Sequence, residues 1–383
     1  MQQFERDLKK EDNKNIVLSL ITELDLEYKF NINDDINYVS NVEIFNKNIN
    51  SIGSGKGNNH EIGAIAEAIE HLILKENKSI TFENKCSEII SINNINKDGI
   101  FRNLSFFQND ILSCAKMVDF FNPSKEILFP IVLRNGNNKQ KNSAELFLSK
   151  YGTNSGVALG TSKQEAILHG AMELLERHYL SKLYEYLILG KLGNTNDFIN
   201  IGSSLKILKK IGFILPNIIS DSDVIVSQSV NGIYFAAAIE KNKSINHPIS
   251  QIGSGCSINM EYAIYRAITE YNQIIRLYDE NEYNDDEKIL KFLMGRKKLI
   301  PLINIDTSNF PRFNISIKNT EPMSSCKILN NINILLKGKN IFYEELIGFE
   351  NGSSVCSTYI PGLERFNLIR LGKEVVPQRI LCK

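Results

Sequence analysis

The chain has 383 residues with 44 basic and 44 acidic side chains, a balance that excludes a wide basic nucleic-acid face and leaves only a local basic pocket. Its 43% apolar and 23% charged content is that of a globular protein able to bury a large core, in one domain or two intimate subdomains. The opening Met1–Lys10 is charged, and no stretch approaches the ~20 apolar residues that span a bilayer, so no membrane association and a cytoplasmic location are expected.

In chain order, residues 1–50 read as an N-terminal segment, helical in period over Ile16–Leu26 and then Asn-rich, extended or looped. Gly53-Ser54-Gly55-Lys56-Gly57 reads either as a phosphate-binding turn, with backbone N–H groups and a lysine meeting an anion, or as a plain tight turn. It is too short for a Walker A loop. A helix over 61–77 is predicted by Ile62, Ala66, Ile69 and Ile73. Glu126–Arg134 reads as a buried strand, followed by a loop or hairpin end at Asn135–Lys139. The helix at 162–188 opens with Ser162 as N-cap and Glu165 completing a capping box. Asp223–Val230 and Ile233–Ile239 read as strands joined by Asn231-Gly232. A further helix covers about 259–280, Asn281–Lys298 is charged and exposed, and Leu299–Ile305, Ile341–Ile347 and Ser353–Ile360 read as strands. The sum is an α/β (α+β) protein with helices backing a largely antiparallel sheet, and a main domain over 51–365 followed by a tail at 366–383. Six cysteines without C-x-x-C spacing read as reduced, buried thiols, and five histidines offer no zinc-ligand spacing with them.

Three stretches share one arrangement, a glycine-rich turn followed by a helix with acidic or amide side chains three apart. Glu67 and Glu70 follow Gly53, Gly55 and Gly57; Glu173, Glu176 and Arg177 follow Gly156 and Gly160; Glu270, Gln273 and Arg276 follow Gly253 and Gly255. Residues three apart share a helix face, and small or apolar neighbours turn these faces inward. Two carboxylates about 4 Å apart repel by about 4 kcal/mol at an effective dielectric near 20, so burying them calls for cations. Singly, each has a bland reading: a solvated face for Glu67 and Glu70, a structural ion pair for Glu173, Glu176 and Arg177, a surface stripe for Glu270 to Arg276. Glu165, two turns before Glu173, adds a third acid to that helix. The spacing of about one hundred residues is too long for a solenoid. Recurrence makes the three units walls of one site for divalent metal and polyphosphate, where arginine holds planar phosphate oxygens through two donors.

These residues resemble the YcaO superfamily over most of 50–365. Its pattern Gly-Lys-Gly, then Ser-Ala-x-x-Glu-x-x-Glu-Arg, is matched by Gly55-Lys56-Gly57 and Gly63-Ala64 through Glu67, Glu70 and His71. Its Asn-Gly-Leu-Ala-Ala-Gly-Asn-Thr, then Glu-x-x-Glu-Arg, is matched by Ser155–Ser162 and Glu173, Glu176 and Arg177. Its Gly-x-Gly, then Arg-Ala-x-x-Glu-x-x-Gln-x-x-Arg, is matched by Gly253–Gly255 and Arg266, Ala267, Glu270, Gln273 and Arg276, and Pro361-Gly362-Leu363-Glu364 is similar to a late Pro-Gly-Leu-Glu segment. Gly63, His71 and Thr161 depart from the usual serine, arginine and asparagine, and the final residues lack the proline tail of azoline-forming members.

The resemblance implies a central ATP and Mg2+ site. Glu67, Glu70, Glu173 and Glu176 would ligate magnesium, Lys56, Arg177 and Arg276 would hold phosphate oxygens, and Gln273 and Glu165 would complete the nucleotide site; hard oxygen donors suit this metal. It further implies ATP-dependent activation of backbone amides in a ribosomal peptide or protein. An internal Cys, Ser or Thr nucleophile then gives an azoline, and external sulfide a thioamide. The missing tail favours thioamidation and the larger share of peptide-tailoring members favours cyclodehydration, so both stay open. The rival is a non-catalytic nucleotide-binding assembly or regulatory subunit; a metal-dependent hydrolase fits less well, for want of histidines and of a Ser-His or Cys-His constellation. Expected partners are a precursor peptide or protein and an E1-like or TfuA-like companion, since no leader-binding or adenylating module is visible, with a homodimer expected from the family alone.

Overall fold

A computed structural model describes residues 5–76, 79–93, 98–135, 141–189, 198–208, 219–227, 232–241, 243–313, 323–337 and 339–382. Helix α1 (Lys10–Glu23) starts earlier than its apolar period because its first turns are charged surface. The Asn-rich stretch after it forms β1 (Glu27–Asp34) and β2 (Val39–Phe45), which join β3 (Asn50–Lys56) in a three-stranded meander. Val42 and Ile44 of β2 pack with Val17, Leu20 and Ile21 of α1 against Ala64, Ile65, Ala68 and Ile69 of helix α2 (His60–Glu76).

Residues 53–56, expected as a turn, are therefore strand. Gly53 and Gly55 alternate onto the face that meets α2, where a Cβ would stand 2.3 Å from the Ala64 carbonyl oxygen and 1.6 Å from that of His60. These glycines let strand and helix touch at backbone distance. Their surroundings do not form an anion-binding turn, because Glu67 takes the Ser54 N–H and the Tyr38 carbonyl takes the Gly57 N–H. Gly57 alone among them has the left-handed backbone of a turn glycine, at φ +70°.

A second sheet begins with β4 (Thr81–Lys85), β5 (Ile111–Asp119), β6 (Glu126–Pro130) and β7 (Val157–Gly160). A third is the meander β8 (Phe198–Ser203), β9 (Ser222–Ser227), β10 (Tyr234–Glu240) and β11 (Ile252–Ser257). The chain then returns with β12 (Phe342–Gly348) and β13 (Ser354–Tyr359), completing the order β4-β5-β12-β13-β7 with β6 on β5. Every ladder among the described residues is antiparallel, as the helix-backed antiparallel reading expects. Helix α3 (Lys163–Leu189) lies on β7 and β13, and α4 (Met260–Leu277), capped by the Asn259 side chain, lies on β10 and β11. The other two expected glycine turns are strand as well, Gly160 in β7 and Gly253 and Gly255 in β11, and the close-approach device recurs: a Cβ on Gly253 would stand 2.1 Å from the Tyr271 nitrogen, and one on Gly160 2.2 Å from that of Ala166.

Elsewhere the expectations shift. The strand through Arg134 stops at Pro130 and tightens into a 3₁₀ turn, Ile131–Leu133. Leu299–Ile305 is no strand: Lys297–Leu302 is a 3₁₀ turn containing Pro301, which has no N–H to give a ladder. The charged stretch after α4 is exposed as expected, and forms helix α5 (Glu280–Met294) capped by Asp279. The hairpin turn at Asn231 and the loop at 136–139 lie outside the described residues. Four cysteines are buried, Cys326 is exposed, and no described pair forms a disulfide. No described helix is long and apolar enough to cross a membrane.

Candidate functional site

The units β3–α2, β7–α3 and β11–α4 converge on one cavity of about 730 Å³. Each helix gives the cavity one stripe at spacings of three and four and packs a neighbouring stripe on its strand. The stripes are Gly63, Glu67, Glu70 and His71 on α2, Glu173, Glu176 and Arg177 on α3, and Tyr262, Arg266, Glu270 and Gln273 on α4; Lys56 enters from the end of β3. All four glutamates expected as metal ligands are at this wall, with Lys56, Arg177 and Gln273.

The acids are held in two ways. Glu67 accepts the Ser54 N–H at 3.2 Å, Glu70 the Leu159 N–H at 2.7 Å and Glu173 the Gly156 N–H at 3.0 Å, so strand-edge amides aim these carboxylates. Burial pushes the Glu70 carboxyl well above its ordinary range and the charges of Glu67 and Glu173 push the same way, against the Leu159 N–H. Burial also raises Glu67, opposed by His71, the Ser54 N–H and Lys56. Glu176, only 2% exposed, accepts from Ser254 Oγ at 2.7 Å and meets Arg177 Nη1 at 3.2 Å and Arg266 Nη2 at 3.4 Å. Burial pushes its carboxyl up, but the two guanidinium charges outweigh this and hold it below the ordinary range.

Lys56 Nζ is bound to Glu270 Oε2 at 2.5 Å, and Arg177 Nη2 faces Glu173 Oε1 at 3.6 Å. Two expected site residues stand off the cavity wall. Glu165 is fully buried behind it and takes Arg6 Nη1 at 2.6 Å, Thr161 Oγ1 at 2.8 Å and the Asp7 N–H at 3.3 Å. Its own N–H donates to Ser162 Oγ at 3.2 Å, so Ser162 caps α3, but the carboxylate has turned to Arg6 and the return half of the capping box is not made. Arg276 pairs with Asp34 at 2.8 Å at the end of β1, where it is 41% exposed. Sequence reasoning did not single out Glu5 and Arg6, whose contacts span more than a hundred and fifty positions and leave no local signal. Arg266 had one: it lies four residues before Glu270, on the same stripe.

The donor set fits Mg2+ and a polyphosphate. Carboxylate oxygens are hard donors, and among the described residues Glu70 has a backbone N–H but no cationic side chain within ion-pair distance. The described residues hold no ready cluster of three acidic, histidine or cysteine ligands, and Glu67, Glu173 and Glu70 are each held by a separate backbone amide.

The sequence model of one family, described as YcaO cyclodehydratase, ATP- and Mg2+-binding, matches residues 54–364. A search of curated protein sequences finds no match. Among solved structures the chain is similar to a heterocyclase in complex with substrate and cofactor, with a TM-score of 0.60 and 15% identity over 95% of this chain and 54% of that one. It thus spans about half the length of that heterocyclase. It is similar to YcaO from Methanopyrus kandleri bound with AMPPCP and Mg2+, with a TM-score of 0.60 and 12% identity over 96% and 94% of the two chains. It is also similar to a chain of the E. coli microcin synthetase McbBCD complex, with a TM-score of 0.56 and 16% identity over 87% and 86%. At these identities the structures share the fold, while the sequence match takes in the last two strand–helix units whole and the first from Ser54 onward. The chain belongs to the YcaO family of ATP- and Mg2+-binding proteins.

Proposed function

We propose that the protein is an ATP-dependent enzyme that activates backbone amides of a ribosomally made peptide or protein, forming azolines or thioamides in peptide natural-product maturation. The observation that carries this is the meeting of Glu67, Glu70, Glu173 and Glu176 with Lys56 and Arg177 at one cavity of about 730 Å³. Glu67, Glu70, Glu173 and Glu176 would hold Mg2+, with Glu176 also fixing the arginines, and Lys56 and Arg177 would hold phosphate oxygens. Bound ATP supplies the phosphoryl group that turns an amide oxygen into a leaving group. Around it the chain's own residues position charge: Ser254 and Glu176 fix the Arg177 guanidinium, Glu165 fixes Arg6, and Gln273 offers an amide at the wall. Arg276 would join them only on leaving Asp34. A companion protein that captures the precursor, E1-like or TfuA-like, is part of this reading, supported by the likeness to a chain of a multiprotein synthetase.

The test is incubation of the protein, companion and candidate peptide with Mg·ATP, read by phosphate release and peptide mass. Loss of one water marks azoline formation, and exchange of oxygen for sulfur marks a thioamide. Glu67→Gln and Glu173→Gln should each abolish modification. Phosphate release and product that persist in both variants would point instead to a nucleotide-binding assembly subunit.

A further inference from the structure

Glu5, Arg6 and Asp7 cross one side of the cavity as a strap, clipped to three different elements. The Glu5 carboxylate, 3% exposed, accepts from Ser257 Oγ at 2.5 Å and faces Arg266 Nη1 at 3.5 Å. The Glu5 carbonyl accepts from His169 Nε2 at 3.1 Å, and Arg6 reaches Glu165. Asp7 accepts from the Ser325 N–H at 2.8 Å and its hydroxyl at 2.5 Å, capping the helix Ser325–Leu335, whose own Ser324 provides no side-chain cap.

This seating is costly for a simple anchor. Glu5 has a left-handed backbone at φ +61°, a conformation that residues with side chains rarely adopt. Among the described residues its Oε2 and the Nε of Arg266 are both buried without a hydrogen-bond partner, so the pair meets in poor geometry. Burial penalises the charge more than Arg266, the Ser257 hydroxyl and Arg6 favour it, and Glu176 adds like-charge repulsion. A carboxylate is thus forced into a cavity already rich in carboxylates, at the guanidinium beside Glu176. Arg266 is thus a cationic place on the cavity wall that the chain fills with an anion of its own.

We propose that the Glu5–Asp7 strap is a built-in competitor of the nucleotide: the Glu5 carboxylate occupies a place at Arg266 that a phosphate group takes, so strap and phosphate exclude each other. This rests on the nucleotide-binding reading of the cavity. Apparent affinity falls by the fraction of molecules with the seat open, so a strap closed nine-tenths of the time weakens binding about tenfold. The device makes ligand entry and strap release one event.

The test is calorimetry of the full chain with Mg·AMPPCP and, separately, with inorganic triphosphate, on the unaltered protein, Glu5→Ala and Asp7→Ala. Glu5→Ala should bind both ligands about three- to tenfold tighter, and Asp7→Ala should move the same way by less. In the unaltered protein, amide exchange at residues 6–8 should speed up on ligand addition. Equal or weaker binding by Glu5→Ala, or slower exchange in the strap with ligand, overturns the proposal; a lower Tm in both variants with unchanged affinity does so too, by showing a mere structural tie. If Mg·AMPPCP binds to none of the proteins while triphosphate still prefers Glu5→Ala, the nucleotide reading fails and the strap stands. If neither ligand binds to any of them, both fail.

Discussion

Glu70 and Glu176 line the same cavity, yet the protein treats their charges in opposite ways. Burial pushes the Glu70 carboxyl up, the repulsion of Glu67 and Glu173 adds to this, and the single backbone N–H of Leu159 does not offset it. Glu176 is met by Ser254, Arg177 and Arg266, so its carboxyl is held down despite burial. The compensated wall is an ion network that ties down two guanidinium groups, and Glu176 within it is also a proposed Mg2+ ligand. The uncompensated wall is a set of aimed oxygens short of positive charge, the state in which a bound divalent cation returns the most. The two walls of one cavity thus differ in how their charges are compensated, and the difference shows in the sign of substitution effects.

The largest effect is expected on the compensated wall. Glu176→Ala strands Arg177 and Arg266, and breaking such a network by removing one partner costs about 3–5 kcal/mol. Denaturant titration of the ligand-free protein measures it. A loss below about 1 kcal/mol would mean that the arginines re-pair freely, for instance with Glu173 and Glu5, and that the two walls are built alike.

Glu165 extends the compensated side and gives a pH signature. Burial raises its carboxyl, but the charges of Arg6 and His169 and the Arg6 and Thr161 bonds hold it down at about 2, against 4.5 ordinarily. A depressed folded value means that its contribution is complete above pH 4.5 and is lost as pH falls toward 2, about 3 kcal/mol in all. Glu165→Gln should flatten the stability curve over that acid range and leave its shape above pH 5 unchanged. A variant curve parallel to the original would show that Arg6 does not hold Glu165.

On the other wall the sign reverses. A raised folded value means that Glu70 adds stability at acid pH, lost as pH rises past the ordinary value. Glu70→Gln removes the penalised charge while keeping an acceptor for the Leu159 N–H. Thermal melts at pH 7–8 without ligand should show a Tm equal or higher by about 1–3 °C. Affinity for Mg·AMPPCP by calorimetry should fall about a hundredfold or more, the scale at which metal-site partners act. A lower Tm together with unchanged affinity would make Glu70 a structural acid and not a metal ligand.

How much of this was legible in the sequence follows from the range of each signal. Helix α2 was read to within a residue at both ends, because its period and small residues are local. The i, i+3 acids were readable for the same reason: spacing alone puts them on one stripe. The glycines were noticed for the wrong cause, since the strand–helix seam they serve depends on backbone packing that a Gly-x-Gly pattern shares with turns. Strand β7, Val157–Gly160, is four buried residues with no alternation to detect. Leu299–Ile305 shows the converse, an apolar run that reads as strand and is not one. The Glu5 and Arg6 contacts and the Arg276–Asp34 pair join distant positions, and nothing local announces them.

The smallest expected effect sharpens the comparison between seam and cavity wall. Gly55 and Gly63 both belong to the first motif, but a Cβ on Gly55 would collide with the His60 carbonyl, whereas one on Gly63 meets only the Gly55 Cα, at 3.6 Å. Packing therefore does not require glycine at 63, where the family pattern carries serine. Gly63→Ser should leave stability unchanged or raise it by up to about 0.5 kcal/mol, because serine is the better helix former. Nucleotide affinity should change less than about threefold, with thermal melts and calorimetry as the two readouts. A fall in Tm would extend the strand–helix seam to Gly63. A large affinity change at constant Tm would make the bare backbone at 63 a feature of the cavity wall, on the same side as Glu67 and Glu70.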